Sequence, residues 1–221
     1  MIKRIIDLFI AIVTLVLLSP LFLIIIIILK FSGEGEVFYL QERLGFLNKK
    51  FNIIKFATMV KNSPNIGSGS LTLRDDPRVL PFGKFLRKSK INELPQIFNV
   101  IIGNMSIVGP RPQMQVDFDK FPVDKRNEIY KSQPGITGIG SIIFRDEEKW
   151  ISNFKGDKHK FYKEKIAPYK AEVEIWYYHN QSVFIDFKLI FLTAWVIIFP
   201  NSNIVEKVLK SLPEKPTHLE N

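Results

Sequence analysis

Two groups in the stretch KINELPQIFNVIIGNMSIVGPRP, Lys90 to Pro112, have the character of reacting chemistry. Glu93 stands beside an amide, Asn92, where a helix is expected to begin. Pro95 is tolerated in a first turn, so backbone N–H groups of a helix starting near Asn92 would point toward an anion with Glu93 at the mouth. The plain reading of the same residues is an N-cap at Asn92 and a first-turn acid favoured by the helix dipole. Further on, Arg111 lies between two prolines. Pro110 fixes its own backbone and Pro112 drives Arg111 toward an extended conformation, so a stiff turn presents the guanidinium as a bidentate clamp for phosphate oxygens. The plain reading there is a surface turn with a solvated arginine.

The formal net charge of +9 over 221 residues implies an anionic partner, whether nucleic acid, an anionic membrane leaflet or a phosphorylated substrate. The composition, 46% hydrophobic, supports a core and excludes a disordered chain. There is no cysteine, hence no disulfide framework and no thiolate chemistry, and His159, His179 and His218 lack metal-ligand spacing.

The elements that must position these groups begin with an apolar run, Leu8 to Leu29, free of charge. As a straight helix of about 22 residues it would be about 33 Å long, enough to enter or cross a bilayer core. Pro20 falls near its middle and removes a backbone hydrogen bond, while Ser19 is able to bond back to a carbonyl and help bend the helix. Lys3 and Arg4 flank one end, Lys30, Arg43, Lys49 and Lys50 the other, so the positive-inside bias does not distinguish the ends. A spanning helix and a re-entrant hairpin both fit. Beyond it the chain reads as a compact mixed domain: strands at Val37–Gln41 and Phe51–Phe56, a Gly/Ser loop at Asn65–Ser70, helices at Phe82–Lys88 and from Asn92 onward. Lys158–His179 is helix-like with a break at Pro168, and Val183–Phe199 is a second apolar run interrupted by Asp186 and Lys188, destined for the membrane or the core. The tail after Pro200 reads as a loosely held end. This divides the chain into an anchor at 1–30, a mixed domain at 31–200 and a tail at 201–221.

The succession KFATM (Lys55–Met59), DDPRVLPFGKFLRK (Asp75–Lys88), NELPQIFNV (Asn92–Val100), GNMSIVGPRP (Gly103–Pro112) and PGITG (Pro134–Gly138) resembles the bacterial sugar transferase family, the monotopic polyprenyl-phosphate phosphoglycosyl transferases. The resemblance implies an α+β fold: a small mixed catalytic domain with an N-terminal re-entrant membrane helix, broken at Ser19-Pro20, and amphipathic membrane-contacting helices. It implies transfer of a sugar 1-phosphate from a UDP-sugar to undecaprenyl phosphate, at the cytoplasmic face of the bacterial inner membrane, opening synthesis of a surface glycan such as lipopolysaccharide, exopolysaccharide or capsule. Magnesium, Mg2+, is the implied cofactor, with Glu93 as its ligand here. The basic residues lie in these motifs and no nucleic-acid recognition motif is visible, so nucleic acid is not an expected partner. The oligomeric state is not legible.

Carried over by position, Asn92 and Glu93 fall on the family's Asp-Glu dyad, whose aspartate attacks the sugar-bearing phosphate and expels UMP. A carboxamide is neutral and a poor nucleophile, so that covalent route is not available through position 92. Asn104 likewise replaces the aspartate of GDMS, and two lost acids weaken magnesium binding. Arg43, Lys55, Arg78, Arg87, Arg111 and Arg145 match family positions that would hold the diphosphate and acceptor phosphate. The family's PGITGWAQVNGR is here PGITGIGSIIFR, so the sugar or nucleotide pocket differs, and Glu174 stands where the family often has an aspartate. Asp146, Glu147 and Glu148 either replace a lost carboxylate or solvate a loop. Four readings of Asn92 remain open: Glu93 as substitute nucleophile, direct attack by the acceptor phosphate, an inactive member kept as a membrane-bound binding scaffold, or a residue substituted in the laboratory.

Overall fold

The computed structural model describes residues 1–63, 66, 76–200 and 202–219. The Gly/Ser loop expected at Asn65–Ser70, apart from Ile66, and Asp75 of the second motif lie outside the described residues. The fold is mixed helix and sheet, as expected, and the chain forms two compact units: Met1–Glu42 with Asn52–Gly103, and Arg43–Phe51 with Asn104–Asn221.

The first unit is built on α1 (Ile2–Lys30), one helix that continues through Ser19-Pro20. Ser19 Oγ donates to Val16 O at 2.8 Å, the back-bond expected of it. Strand β1 (Phe38–Leu44) pairs with β2 (Lys50–Phe56), and the tip of this hairpin, Arg43–Phe51, belongs to the second unit. Both expected strands are present: β1 starts one residue after the expected Val37–Gln41 and runs three residues further, and β2 starts one residue before the expected Phe51–Phe56. Helix α2 (Pro81–Lys88) follows, with Pro81 in its first turn, and α3 (Gln96–Ile102) ends on Gly103 in the left-handed region. Asn99 joins α3 to β2: its Oδ1 accepts Ile54 N–H at 2.9 Å and its Nδ2 donates to Asn52 O at 2.8 Å, so a helix side chain satisfies the strand's backbone. Phe22 of α1 packs against Phe56 and Phe98, with ring centroids 5.3 and 5.9 Å apart.

The helix expected from Asn92 begins later. Pro95 has no N–H to close an α-turn, and the chain before it winds as a 3-10 turn, Ile91–Glu93, entered through left-handed Lys90. The N–H groups of Glu93 and Leu94 bond to Lys90 O and Ile91 O, both at 3.1 Å. The open N–H cradle read from the sequence is therefore closed at those two residues by local hydrogen bonds, and Asn92 is a buried side chain rather than a cap.

In the second unit β3 (Ser106–Val108) runs parallel to β4 (Gly135–Thr137), with Ser106 opposite Gly135 and Val108 opposite Thr137. Short helices α4 (Gln115–Phe118) and α5 (Val123–Ile129) connect them, and α6 (Ile139–Ile143) and α7 (Glu147–Asn153) follow. Helix α8 (Lys158–Phe161) passes through a π-helical stretch, Tyr162–Ile166, into α9 (Ala167–Asn180). Pro168 does not break this segment. It falls in the first turn of α9, where its missing donor costs nothing, and the wider π turn absorbs the change of register. The second apolar run is α10 (Val183–Ile198). It buries Asp186, Leu189, Leu192 and Val196 and exposes Phe184, Phe187 and Phe191, so it has a core face and an apolar outer face. Asp186 sits in the core because Tyr177 OH donates to it at 2.6 Å.

The tail is pinned rather than loose: after α11 (Ile204–Val208), Leu209 and Leu219 are buried, Trp176 Nε1 donates to Ser211 Oγ at 3.2 Å, and Tyr169 OH donates to Pro213 O at 3.2 Å.

Candidate functional site

The residues singled out by the sequence divide between the units, with Asn92, Glu93, Lys55, Arg78 and Arg87 in the first and Arg43, Arg111 and Arg145 in the second.

In the first unit the 3-10 turn carries Asn92 inward and Glu93 to a half-buried position. Asn92 is 7% exposed, and its Oδ1 is buried with no hydrogen-bond partner. A buried amide oxygen without a donor is costly, so its position asks for a ligand group or another reason. Glu93 Oε1 lies 3.4 Å from Lys55 Nζ on β2, both side chains largely shielded, which joins two of the expected residues in one ion pair. Arg87, in the last turn of α2, reaches Thr58 Oγ1 at 3.5 Å, a long contact.

Arg78 has a different environment. Its guanidinium is buried against Asp76, with Nη2 2.6 Å from Oδ2 and Nε 2.9 Å from Oδ1, and Nη1 donates to Ser63 O and Ile66 O at 2.8 Å each. It thus ties together the chain on both sides of residues 67–75. Its charge is held by the fold.

In the second unit the segment 108–113 that carries Arg111 is hydrogen-bonded along its whole length. Gly109 N–H donates to Thr137 O and Pro110 O accepts Gly135 N–H, both at 2.9 Å. Gly109 and Gly135 lie so close that a Cβ on either would overlap the other's backbone, which is why this pairing takes glycine. Arg111 N–H donates to Glu174 Oε1 at 3.2 Å, and Arg111 O accepts the Tyr130 hydroxyl at 2.9 Å. Arg43 Nη1 donates to Pro112 O at 3.4 Å, Gln113 N–H donates to Tyr130 OH at 2.8 Å, and Gln113 O accepts Leu44 N–H at 2.9 Å. Two of the expected arginines, 43 and 111, therefore meet on one turn, Arg43 through its guanidinium and Arg111 through its backbone. Burial raises the Tyr130 phenol far above its ordinary range, so it stays a donor.

Arg145 is directed elsewhere. Its Nη1 donates to Val196 O on α10, and Nη2 lies 3.2 Å from Asp146 Oδ2. Of the acidic run after it, Asp146 pairs with Arg145 and Glu147 is engaged within the fold. Glu147 pairs with Lys170, a buried ammonium that also lies 5.3 and 5.6 Å from the ring centroids of Phe144 and Tyr162. The Glu147–Lys170 pair closes α7 onto α9.

A family model described as bacterial sugar transferase matches residues 1–200. The chain belongs to the bacterial sugar transferase family. Among curated relatives, it is 33% identical over 208 residues to the exopolysaccharide production protein ExoY of Rhizobium meliloti, covering 87% of this chain and 84% of the relative. The namesake in Sinorhizobium fredii is 37% identical over 172 residues, covering 71% and 75%. The undecaprenyl-phosphate glucose phosphotransferase of Komagataeibacter xylinus is 33% identical over 202 residues, 89% of this chain but 36% of that longer protein. This sugar transferase is thus an enzyme by family, as its five motifs implied.

Three residues that position the site were not singled out from its sequence for that role. Tyr130 carries no motif signal. Glu174 had one: with Lys170 it forms a charged i, i+4 pair on the face of α9 that also buries Tyr177. Arg4, read only as a flanking charge, donates to Val100 O at 2.6 Å and Ile101 O at 3.1 Å, capping α3 from the start of α1.

Proposed function

We propose that this sugar transferase moves a sugar 1-phosphate from a UDP-sugar to undecaprenyl phosphate, at the cytoplasmic face of the bacterial inner membrane, and so begins a lipid-linked surface glycan. The observation that carries the reading is the turn at Arg111. Each backbone N–H and C=O described above for residues 109–113 is held by a partner in the same unit, which stiffens the arginine's base and suits its guanidinium to a fixed diphosphate. The named activity of the Komagataeibacter relative supports the acceptor. A relative in Klebsiella pneumoniae, a UDP-glucose:undecaprenyl-phosphate glucose-1-phosphate transferase 32% identical over 197 residues, supports the donor class.

The reaction is read as direct. An oxygen of the acceptor phosphate attacks the sugar-bearing phosphorus, the bond from that phosphorus to the bridging oxygen breaks, and UMP leaves with the electron pair. Asn92 is a neutral carboxamide and a poor nucleophile, and the Lys55 ammonium beside Glu93 suits that carboxylate to an electrostatic or proton-handling role. Arg111 offsets the charge that develops on the phosphoryl oxygens.

Among the described residues no group of three His, Cys, Asp or Glu side chains forms a metal cage. The 92–93 turn has one carboxylate and one buried amide oxygen, which fits a magnesium ion arriving with the diphosphate better than a resident one. Glu93 and Asn92 Oδ1 would hold it there. Bound magnesium would offset diphosphate charge.

The anchor is read as re-entrant and the protein as monotopic. No residue from Ile12 to Pro20 is buried, whereas Asp7 and Ala11 on one side and Phe22, Ile25 and Leu29 on the other are. Arg4 and Phe22 would stand about 27 Å apart on a straight helix, yet both reach the seven-residue α3, at Val100 and Phe98. A bend at Ser19-Pro20 supports both contacts and leaves the apolar apex for lipid.

The test is UMP release from a UDP-sugar by the full chain in lipid. Release that requires undecaprenyl phosphate, and that falls by about a hundredfold or more in Arg111→Ala, is expected. No release by the folded protein with any UDP-sugar would replace the enzyme reading by that of a binding scaffold.

A further inference from the structure

Glu174 on α9 is 2% exposed, and its Oε1 accepts the Arg111 N–H at 3.2 Å. Gly140 on α6 closes over the same carboxyl: a Cβ at that position would overlap Oε1. The other oxygen, Oε2, is buried and has no hydrogen-bond partner. The carboxyl is therefore gripped between a turn and a helix through one oxygen while the second is left without a donor.

We propose that Glu174 is the positioning residue for Arg111: it holds the arginine's backbone in place, and its ionisation sets how firmly the phosphate clamp is held. The inference rests on the transfer reaction proposed above for the same site. It adds a residue that touches neither substrate nor cofactor and acts through Arg111.

The chemistry follows from the orphaned oxygen. A buried carboxylate with one unpartnered oxygen is disfavoured as an anion, and burial raises Glu174 to about 7. The Arg111 N–H bond and the charges of Lys170 and Arg111 oppose that rise. The groups facing it are Arg111 from the 108–113 turn, Lys170 one turn earlier on α9 and Tyr130 beyond the end of α5, while Gly140 is the uncharged neighbour on α6. Lys170 is itself committed to Glu147. Below the midpoint the neutral acid accepts an ordinary hydrogen bond from Arg111. Above it the carboxylate accepts a charge-assisted one, shorter and about twice as strong, and attracts the arginine as a whole. Deprotonation of a residue outside the reacting atoms thereby tightens the clamp near neutral pH.

The test compares wild type with Glu174→Gln and Glu174→Asp, using the full chain in lipid. Gln keeps the shape and one acceptor but does not titrate. Asp is shorter and does. Two readouts are taken across the range on either side of pH 7: the kcat for UMP release, and the affinity for UDP-glucose, a probe whose diphosphate does not itself titrate there. In wild type both rise with pH. In Glu174→Gln the affinity profile is flat and kcat keeps only the rise that the acceptor phosphate's own second ionisation, at about pH 6, gives every variant, with kcat about tenfold below wild type at the high-pH end, the extra strength of one charge-assisted bond. In Glu174→Asp the pH dependence returns. A sloped affinity profile in Gln or a flat one in Asp overturns the proposal. So does pH-independent wild-type affinity, which can be measured even if neither variant folds. If affinity follows the expected pattern while no protein releases UMP, the transfer reading fails and the positioning role stands. If release is normal and all three proteins share one pH profile, the positioning role fails and the transfer reading stands.

Discussion

Tyr130 and Arg111 are joined by a hydroxyl that serves two backbone groups at once: it donates to the arginine's carbonyl at 2.9 Å and accepts the N–H of Gln113 at 2.8 Å. The phenol is 1% exposed, stacked on Phe118, and does not ionise in the working range. One atom thus fixes the peptide planes on both sides of Pro112.

Tyr130→Phe removes that atom and leaves a buried carbonyl and a buried N–H without partners. The expected loss is about 2 to 3 kcal/mol of stability, together with lower turnover as Arg111 loosens. Chemical denaturation and UMP release measured on the same preparation check both. A variant with wild-type stability would show that the turn does not depend on this hydroxyl.

Arg78 and Arg111 both lie in family motifs, but their surroundings predict opposite phenotypes. Asp76→Ala leaves the Arg78 guanidinium buried without its carboxylate and is expected to cost about 3 to 5 kcal/mol. The effect belongs to thermal unfolding, with KM for the UDP-sugar unchanged in the protein that remains folded. A raised KM at undiminished stability would return Arg78 to the substrate.

Stability should also depend on Glu174. Its acid is raised from the ordinary 4.5 to about 7 in the folded protein. Between those values the folded state keeps a proton that the unfolded state has released, so stability falls as pH rises through this window and levels off above it. The loss is on the order of 3 kcal/mol. Thermal unfolding of wild type and Glu174→Gln at about pH 5 and about pH 8 should show the larger drop in wild type. Equal drops would mean that the carboxyl titrates normally.

Asn92→Asp restores an acid at the turn beside Glu93. A phosphosugar adduct on that residue is expected on mixing with a UDP-sugar alone, detected by mass spectrometry, and none is expected on wild type. An adduct on Glu93 of the wild type would replace direct attack by a substitute nucleophile. Glu93→Gln should abolish transfer at little cost in stability, about 1 kcal/mol, because its contact with Lys55 is long at 3.4 Å and a carboxamide oxygen can still accept from the ammonium.

The chain has no cysteine, so single cysteines report topology without background. Residues before Leu8 and residues after Lys30 should label from the same side of the membrane. Pro20→Ala should shift the population toward opposite sides, since it restores the missing helical hydrogen bond. Opposite-side labelling of the wild type would end the hairpin reading.

What the sequence determined by itself is what short-range physics controls. An apolar run long enough for a bilayer, the short apolar strands β1 and β2, and an arginine stiffened by the prolines on either side are decided within a few residues. The family was legible for the same reason, because its motifs are contiguous. Even the failure at Asn92 was local: Pro95 withholds the N–H that an α-turn would use, so the helix starts at Gln96 and a tighter turn buries the amide. The tertiary structure alone decided which charges are used and by what. Asp76 takes the Arg78 charge out of play, and Val196 and Asp146 take Arg145. The groups that hold the site reach it from far along the chain, Tyr130 from 19 residues away, Glu174 from 63, and Arg4 across 96 to the end of α3. A hydrogen bond acts over about 3 Å of space whatever the length of chain between its ends, and no local pattern of residue types records which distant backbone group a buried tyrosine, glutamate or arginine will meet.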